Sequence, residues 1–323
     1  MIALDIFLVV IGVYAVLKGA DWMTEGASAL ARRMNVSEIV IGLTIVAAGT
    51  SAPELFVSLM SALKGTPDLA VGNVIGSNAM NTMLIVGVAA MVAPMAISRQ
   101  TVKKDVPFTV VASVLLVLLC LDNFSAFSIQ GNLISRADGL VLLAGFAVFM
   151  FITLRMARAT GPAPDAGVPT AQKETGAMKA ALSMVAGLLL LVVGSNVFVD
   201  AATRIATTLG VSESVIGLTI VAGGTSLPEL ATSVVAARKG QSAIAIGNVI
   251  GSNVFNILAI LGITATISPM QIGGITLVDL MVMLLSILLL WLFCFTRLRV
   301  ERWEGAVLTL CYGGYLAWLL YNI

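Results

Sequence analysis

The chain has 323 residues, of which 59% are hydrophobic and 11% charged, with a net charge of +1, no histidine and a mean hydropathy of +1.04. Soluble domains contain about 25% charged residues, so this composition predicts a polytopic membrane protein. The near-neutral charge gives no reason to expect nucleic-acid binding, and the lack of histidine excludes imidazole metal ligands, Ser-His triads and histidine proton relays.

Ten apolar runs are long enough to cross a bilayer, which requires about 20 residues. In chain order, we predict the spans at 2–20, 38–62, 69–93, 105–121, 138–157, 179–200, 213–237, 243–268, 275–296 and 304–321. The segment 158–178, "RATGPAPDAGVPTAQKETGAM", resembles a short soluble linker. The loops are too short for an extramembrane catalytic domain, so the chain is not expected to be an enzyme.

The sequence repeats itself when it is shifted by 175 residues. "IVIGLTIVAAGTSAPEL" aligns with "SVIGLTIVAGGTSLPEL", and 32 of 56 positions are identical between 40–95 and 215–270. The units 1–157 and 179–323 each hold five predicted spans, so the second unit must enter the membrane from the opposite side. The sequence therefore predicts an all-α membrane protein of ten helices in two inverted-topology five-helix repeats.

The basic residues indicate the orientation, since they mark the cytoplasmic side. The loops after spans 1, 3, 5, 7 and 9 carry Arg32, Arg33, Arg99, Lys103, Lys104, Arg155, Arg158, Lys173, Lys179, Arg238, Lys239, Arg297, Arg299 and Arg302. The other loops carry only Lys64, Arg136 and Arg204. Both termini are therefore predicted to be extracytoplasmic, with the linker in the cytoplasm.

A proline and a glutamate stand side by side in spans 2 and 7, as Pro53-Glu54 and Pro228-Glu229. A proline inside a helix cannot bond to the carbonyl four residues before it, which predicts that both helices are broken there. A carboxylate at mid-bilayer costs at least about 2.5–3.5 kcal/mol and marks a functional site by default. No Lys or Arg lies within either span to pair with the glutamates, so we expect a cation between them.

The polar residues of spans 3 and 8 extend this site. Helical spacing places Asn73, Ser77 and Asn81 along one face, with Asn248, Ser252 and Asn256 as their equivalents. Asn and Ser also join transmembrane helices by hydrogen bonds, and for Asn73 and Asn248 that role is the open alternative. Carboxylate and carbonyl oxygens without sulfur or imidazole suit Ca²⁺, Na⁺ or Mg²⁺, and an irregular flexible backbone favours Ca²⁺ over Mg²⁺.

These motifs resemble a known family. "GTSAPE" with "GNVIGSNAMN", and "GTSLPE" with "GNVIGSNVFN", are similar to the two α-repeats of the calcium/cation antiporter superfamily, in particular small prokaryotic sodium/calcium exchangers. The resemblance covers essentially the whole chain. It implies exchange of Ca²⁺ for Na⁺ by alternating access in the inner (plasma) membrane. It further implies a monomeric unit, with no cofactor beyond the transported ions, and ion sites between spans 2, 3, 7 and 8.

The resemblance also implies a ligand for each ion position. The calcium site would use Glu54 and Glu229 with the carbonyls of Thr50 and Thr225. The outer sodium site would be formed by Glu54, Ser77, Ser226 and the backbone oxygens of Ala222 and Thr225. The inner sodium site would be formed by Glu229, Ser51, Ser252 and the backbone oxygens of Ala47 and Thr50. Asn81 and Asn256 would line the middle position, where some relatives carry Asp at the place of Asn256.

Other classes of function stay open at this stage. In an antiporter of calcium, or of another cation, for protons, protons would compete for the glutamates in place of sodium, although a proton needs none of the duplicated Ser and Thr oxygens. An intramembrane enzyme is disfavoured because the spans hold no Ser-Lys pair, Asp dyad or His-Glu motif. A carrier for organic anions would place helix N-termini at its site without acidic residues.

Overall fold

The computed structural model describes residues 2–121, 132–160, 176–210, 220 and 222–321. The described helices of the first half are α1 (Ile2–Arg33), α2 (Glu38–Ile41), α3 (Ala47–Thr50), α4 (Ala52–Leu63), α5 (Pro67–Met80), α6 (Val86–Val92), α7 (Val106–Leu119) and α8 (Arg136–Thr160). Those of the second half are α9 (Ala177–Thr208), α10 (Ala222–Thr225), α11 (Leu227–Arg238), α12 (Ser242–Val254), α13 (Leu261–Ile267), α14 (Leu277–Phe295) and α15 (Arg302–Tyr321). The predicted linker falls largely on residues outside the described ranges.

Wide π-helical turns and two short strand pairs complete the described structure. The π turns span Gly42–Val46, Asn81–Ile85, Thr101–Asp105 and Phe255–Ile260. Strand β1 (Met95–Ala96) pairs antiparallel with β4 (Arg299–Val300), and β2 (Asn132–Ile134) with β3 (Met270–Ile272). Met95 lies opposite Val300, and Asn132 opposite Ile272. Each strand pair therefore joins a loop of the first half to a loop of the second.

Six helices in the described ranges are long and apolar enough to cross a membrane. They are Ile2–Arg33, Pro67–Val92, Arg136–Ala157, Ala177–Thr208, Ser242–Ile267 and Leu277–Phe295. A seventh span arises if the bent pair Glu38–Thr50 and Ala52–Leu63 is counted as one. The chain is thus a multi-pass helical membrane protein, while α7 and α15 do not meet the same test and the ten-span arrangement stays a prediction.

The helices that carry the polar motifs lie in the interior. In the most apolar 18-residue segment of Ser242–Ile267, 94% of the residues are buried, and in that of Pro67–Val92 78% are buried. In the most apolar 18-residue segments of α1 and α8 only 22% of the residues are buried, so these helices lie at the periphery of the protein. Polar side chains on the two interior helices can therefore face a protein-lined site instead of the bilayer.

Two helices extend beyond their predicted ends. α1 runs to Arg33 and α9 to Thr208, whereas the predicted spans ended at 20 and 200. The added turns of α1 are amphipathic, and their carboxylates at Asp21 and Glu25 pair with Lys239 of the α11–α12 turn. The helices continue past the predicted spans because hydropathy falls where charges begin, whereas the backbone hydrogen bonds of the helix go on.

A break interrupts the helix that carries the first glutamate motif, and a non-helical serine lies at the equivalent place of the second. The chain bends by 46° between Glu38–Thr50 and Ala52–Leu63, with Ser51 at the break. Pro53 lies in the first turn of α4, where a proline sacrifices no hydrogen bond. Ser226 occupies the equivalent break before α11 and has nearly the same backbone angles, with φ −88° and ψ 7° against −83° and 7° at Ser51. Each proline therefore begins a new helix, and each glutamate lies in its first turn.

Helices α1 and α9 pack with their backbones in close approach. A Cβ added at Gly187 would lie 2.5 Å from the Met23 nitrogen and 2.6 Å from the Gly19 oxygen. A Cβ at Gly19 would lie 2.7 Å from the Gly187 oxygen. Small residues permit this kind of contact between membrane helices, which is held by van der Waals packing.

We expect Gly187→Ala to destabilise this helix pair, because the added methyl meets backbone atoms that cannot move aside. Overpacking of this kind costs about 1–3 kcal/mol. Thermal unfolding of the detergent-purified protein measures the loss. Gly313→Ala on α15 is the matched control, since a Cβ there meets nothing within 4 Å. Equal unfolding temperatures for the two variants would contradict the close packing.

Candidate cation-binding site

Two glutamates lie fully inside the protein, each in the first turn of a helix that follows a break. Glu54 is 1% exposed and Glu229 is 0% exposed. The Oε1 atom of each carboxylate accepts hydrogen bonds, whereas Oε2 of each has no partner in the described structure. A buried carboxylate oxygen without a donor is unfavourable, which makes these two atoms the strongest sign of a missing positive ligand.

Each glutamate contacts a serine hydroxyl that belongs to the other half of the chain. Ser51 Oγ of the first break donates to Glu229 Oε1 at 3.0 Å. Ser226 Oγ of the second break lies 2.9 Å from Glu54 Oε1. Because 226 and 54 are the positions that correspond to 51 and 229 at a shift of 175, the two contacts are equivalent in the repeat. Each carboxylate is therefore held by the break of the other half.

Serines of the two interior helices also lie beside these contacts. Ser77 Oγ of α5 lies 3.2 Å from Ser226 Oγ, and Ser252 Oγ of α12 lies 3.4 Å from Glu229 Oε1. The Thr50 hydroxyl lies 3.5 Å from Ser252 Oγ and 3.3 Å from the carbonyl oxygen of Ala47. The Ala47 carbonyl oxygen also accepts a hydrogen bond from the Ser51 N–H at 3.0 Å, so it is already partly occupied as a ligand for an ion. The hydroxyls surround the carboxylates from both sides.

At the second break, the short helix α10 supplies the backbone before Ser226. Thr225 is the last residue of α10 and directly precedes Ser226. Ala222 begins the same short helix. The Gly224 carbonyl, which the proline pattern predicts to be free, accepts a hydrogen bond from Ser195 Oγ at 3.4 Å. A side chain of α9 therefore satisfies this carbonyl.

Asn73 and Asn248 brace the glutamate helices. Asn73 Nδ2 donates to the Glu54 carbonyl at 3.3 Å and to Ser58 Oγ at 3.0 Å. Asn248 Nδ2 makes the equivalent bonds to the Glu229 carbonyl and to the Ser233 hydroxyl, also at 3.3 and 3.0 Å. Both Nδ2 groups bond to backbone and hydroxyl groups of the neighbouring helix, which fits the helix-joining role left open by the sequence. Asn248 Oδ1 also accepts a hydrogen bond from Thr50 Oγ1 of the first break at 3.0 Å.

Asn81 and Asn256 lie one turn beyond the two serines of the interior helices. Asn81 follows Ser77 by four residues and Asn256 follows Ser252 by four, and each lies in a π turn. Both side chains are buried, and the Oδ1 atom of each has no partner in the described structure. The two glutamates and these two amides therefore each have one buried oxygen without a partner in the described structure.

The electrostatics of this cluster favour a cation. The described ion pairs of Lys and Arg do not reach either glutamate. Two carboxylates out of water with no compensating charge are strongly unfavourable, and removal of water strengthens the effect. Oxygen ligands alone, without sulfur or imidazole, are the set that Ca²⁺, Na⁺ and Mg²⁺ prefer.

Three further polar residues of the interior were missed by the sequence analysis. Asn78 and Asn253 are buried and contact the two amides of the middle position, and Thr82 contacts Asn253. A usable signal was present, since Asn78 and Asn253 recur at the same place in both repeats and precede Asn81 and Asn256 by three residues. Residues three apart lie on neighbouring positions of one helix face.

An interior pair of carboxylates surrounded by hydroxyl and amide oxygens, within a multi-pass helical membrane protein, defines a transporter of small cations. The family model described as sodium/calcium exchanger protein matches residues 4–155 and 179–321. The chain belongs to this family, and its relatives include a putative antiporter and a sodium/calcium exchanger.

Individual relatives match along nearly their whole length. The chain is 38% identical to a putative antiporter, CaxA, of Alkalimonas amylolytica, with 98% of each chain covered. It is 33% identical to the sodium/calcium exchanger MaX1 of Methanosarcina acetivorans, with 99% of this chain and 100% of that one covered. A solved structure of the sodium-calcium exchanger NCX_Mj superposes with a TM-score of 0.83 at 30% identity, covering 98% of this chain and 99% of that one.

Proposed function

We propose that the protein exchanges Ca²⁺ for Na⁺ across a membrane by alternating access. The observation that carries this proposal is the pair of buried glutamates, each with one oxygen held by a serine of the other half and one oxygen without a partner. A cation between them would supply the missing ligand contacts and the missing charge. The relatives named as sodium/calcium exchangers support the choice of ions.

Calcium and sodium would use overlapping ligands. Ca²⁺ would bind Glu54 and Glu229 with the carbonyls of Thr50 and Thr225. Two Na⁺ ions would use hydroxyl, carboxylate and backbone oxygens on either side, supplied by Glu54, Ser77, Ser226, Ala222 and Thr225 for the outer site, and by Glu229, Ser51, Ser252, Ala47 and Thr50 for the inner site. Asn81 and Asn256 would line the middle position between these sites. Because the ions share the glutamates, calcium and sodium displace one another.

The charge of the site explains obligatory exchange. With no cation bound, two carboxylates would be enclosed without compensation, and that state is disfavoured. One Ca²⁺, or several Na⁺, neutralises the pair, so a loaded protein can close over the site and open on the other side. An empty protein cannot pass through the closed state, and net leak of either ion is suppressed.

The proposed architecture is ten helices in two inverted repeats, 1–157 and 179–323, joined by a cytoplasmic linker at 158–178. The exchanged serine contacts support a two-fold relation between the halves, because both members of each pair have the same geometry. We place the protein in the inner membrane with both termini outside, following the distribution of Lys and Arg. A relative from Escherichia coli with 35% identity is named an inner membrane protein. Transport would be performed by one chain, with no cofactor.

A calcium/proton antiporter is the second candidate. It is favoured by the free Oε2 atom on each glutamate, which a proton can occupy without any further ligand. The two candidates differ in what the serines do, because hydroxyl oxygens are ligands for sodium but are not needed to bind a proton.

Calcium uptake into proteoliposomes distinguishes them. Vesicles loaded with sodium are diluted into sodium-free buffer containing radiolabelled calcium, with pH equal on both sides. We expect rapid uptake that disappears when choline replaces the internal sodium. Uptake driven by a pH gradient in sodium-free vesicles would favour the proton candidate, and no uptake under either gradient would end both.

Loss of a serine hydroxyl is expected to weaken sodium more than protons. Ser51→Ala and Ser226→Ala each remove one oxygen, so the sodium concentration for half-maximal calcium exchange should rise about fivefold or more, the size of one lost polar contact. Ser113→Ala is the control, since the hydrogen bond described for this buried hydroxyl goes to the Thr109 carbonyl on α7. Unchanged sodium dependence in both site variants would remove the serines from the sodium sites.

A further inference from the structure

Four buried asparagines form a cross-connected group beside the middle position. They are Asn78 and Asn81 on the first interior helix and Asn253 and Asn256 on the second. Asn81 Nδ2 donates to Asn253 Oδ1 at 3.2 Å, and Asn256 Nδ2 donates to Asn78 Oδ1 at 3.0 Å. The two contacts are equivalent in the repeat, so each amide of the middle position is held by an asparagine of the opposite half.

The first contact, between Asn81 and Asn253, is the last of three linked hydrogen bonds, and the series starts at a backbone carbonyl. The Thr82 hydroxyl donates to the Asn78 carbonyl at 2.9 Å. Its oxygen is then left to accept, and Asn253 Nδ2 donates to it at 2.8 Å. With its nitrogen engaged there, Asn253 presents Oδ1 to the NH₂ group of Asn81. Because a carbonyl can only accept, the direction of every bond in this series is fixed.

A shorter series, of two hydrogen bonds, fixes the second contact, between Asn256 and Asn78. Asn78 Nδ2 donates directly to the backbone carbonyl of Asn253 at 3.3 Å, which leaves Asn78 Oδ1 to accept from Asn256. A threonine step is missing because the residue equivalent to Thr82 is Ile257, which has no hydroxyl. Both series therefore start at a backbone carbonyl and end at the NH₂ group of a middle-position amide.

We propose that Asn78 and Asn253 are positioning residues that turn the oxygens of Asn256 and Asn81 toward the transported cation. A primary amide has a donor end and an acceptor end, and it can rotate to exchange them. When the NH₂ ends are bonded to the opposite half, the amides cannot turn over, and both Oδ1 atoms are buried and without a partner in the described structure. This inference rests on the proposed function, because it concerns the middle position of the same site.

The orientation matters because an amide that turned over would aim N–H groups at the cation. An N–H group repels a cation, and in a site without water the effect is stronger than at a surface. The asparagine pair removes this alternative without adding charge or touching the ion. It therefore lowers the reorganisation required when a cation enters, as positioned groups behind binding residues do in general.

The test acts on Thr82, which is two hydrogen bonds away from the amide oxygen of Asn81. Thr82→Val removes the fixed start of the first series and frees Asn253 and Asn81 to turn over. We expect the KM for calcium in proteoliposome exchange to rise about fivefold, the size expected from one neutral hydrogen bond, with little change in maximal rate. Thr82→Ser keeps the hydroxyl and should bring the KM to within about twofold of the original value.

Two comparisons separate positioning from a general loss of packing. Thr109→Val is the matched control, since the buried Thr109 hydroxyl also bonds to the carbonyl four residues before it and lies outside the site. In an Asn81→Ala background, Thr82→Val should have almost no further effect, because the amide on which it acts is gone. If Thr82→Val does not purify as a folded protein, the second series of hydrogen bonds is tested in its place. Asn78→Leu is then compared in the unaltered protein and in an Asn256→Ala background.

The outcomes are distinct. An unchanged KM in Thr82→Val, a rise of equal size in Thr109→Val, or a full additional rise in the Asn81→Ala background would overturn the positioning role. Calcium binding is also followed by the rise in unfolding temperature that the ion produces in detergent, which requires no coupling ion. If the unaltered protein shows neither calcium exchange nor stabilisation by calcium, the proposed function fails, and that result is independent of the variants.

Discussion

Replacing either buried glutamate by glutamine is expected to abolish calcium exchange. Glu54→Gln or Glu229→Gln keeps the shape of the side chain but reduces the charge of the site from about −2 to about −1. One Ca²⁺ then leaves an excess positive charge in a site closed to water. Uncompensated buried charge costs about 3–5 kcal/mol, so we expect the exchange rate to fall at least about 100-fold. Sodium-driven calcium uptake into proteoliposomes measures this change.

The matched control is Glu25→Gln, which removes an exposed carboxylate of α1 that pairs with Lys239 outside the site. This variant should keep most of its exchange activity. Size-exclusion profiles should be the same for all three variants, because glutamine fills the same volume as glutamate. Exchange near the original rate in either Glu54→Gln or Glu229→Gln would show that the carboxylate pair is not the calcium site.

The symmetry of the site was predictable from the repeat. A shift of 175 residues pairs Glu54 with Glu229 and Ser51 with Ser226, and the structure brings these four side chains together through bonds that cross between the halves. The proline beside each glutamate also indicated the break, since a proline is tolerated at the start of a helix but not in its interior. Residue type and repeat position were sufficient for this part.

The orientation of the amides was not predictable in the same way. That Asn81 and Asn256 lie one turn beyond Ser77 and Ser252 follows from helical spacing, but the hydrogen bonds of their amides depend on contacts with Asn253 and Asn78 across the halves. Such contacts depend on how the interior helices pack. The inverted topology depends on the number of spans in each half, and because α7 and α15 do not meet the test for a membrane span, the ten-span arrangement remains a prediction.

Adding a third carboxylate to the middle position is expected to create a requirement for a second cation. The resemblance to the calcium/cation antiporters implies that an aspartate at the place of Asn256, as in the potassium-dependent branch, supplies charge for an additional ion. With amides at both Asn81 and Asn256, the fixed charge here is about −2, which one Ca²⁺ balances. Calcium uptake by the unaltered protein should therefore be the same when choline replaces external potassium at constant ionic strength.

Asn256→Asp changes this balance, because one Ca²⁺ leaves a charge of about −1 that a potassium ion can neutralise. We expect calcium to bind more tightly, and uptake in choline to fall about tenfold or more and to recover in potassium, since closing over an unpaired charge is strongly unfavourable. Asn81→Asp, at the equivalent position, is the comparison and should behave in the same direction. If the unaltered protein loses calcium flux without potassium, its charge count is wrong and the ligand set lacks a carboxylate. If Asn256→Asp transports equally well in both buffers, that residue does not face the cation.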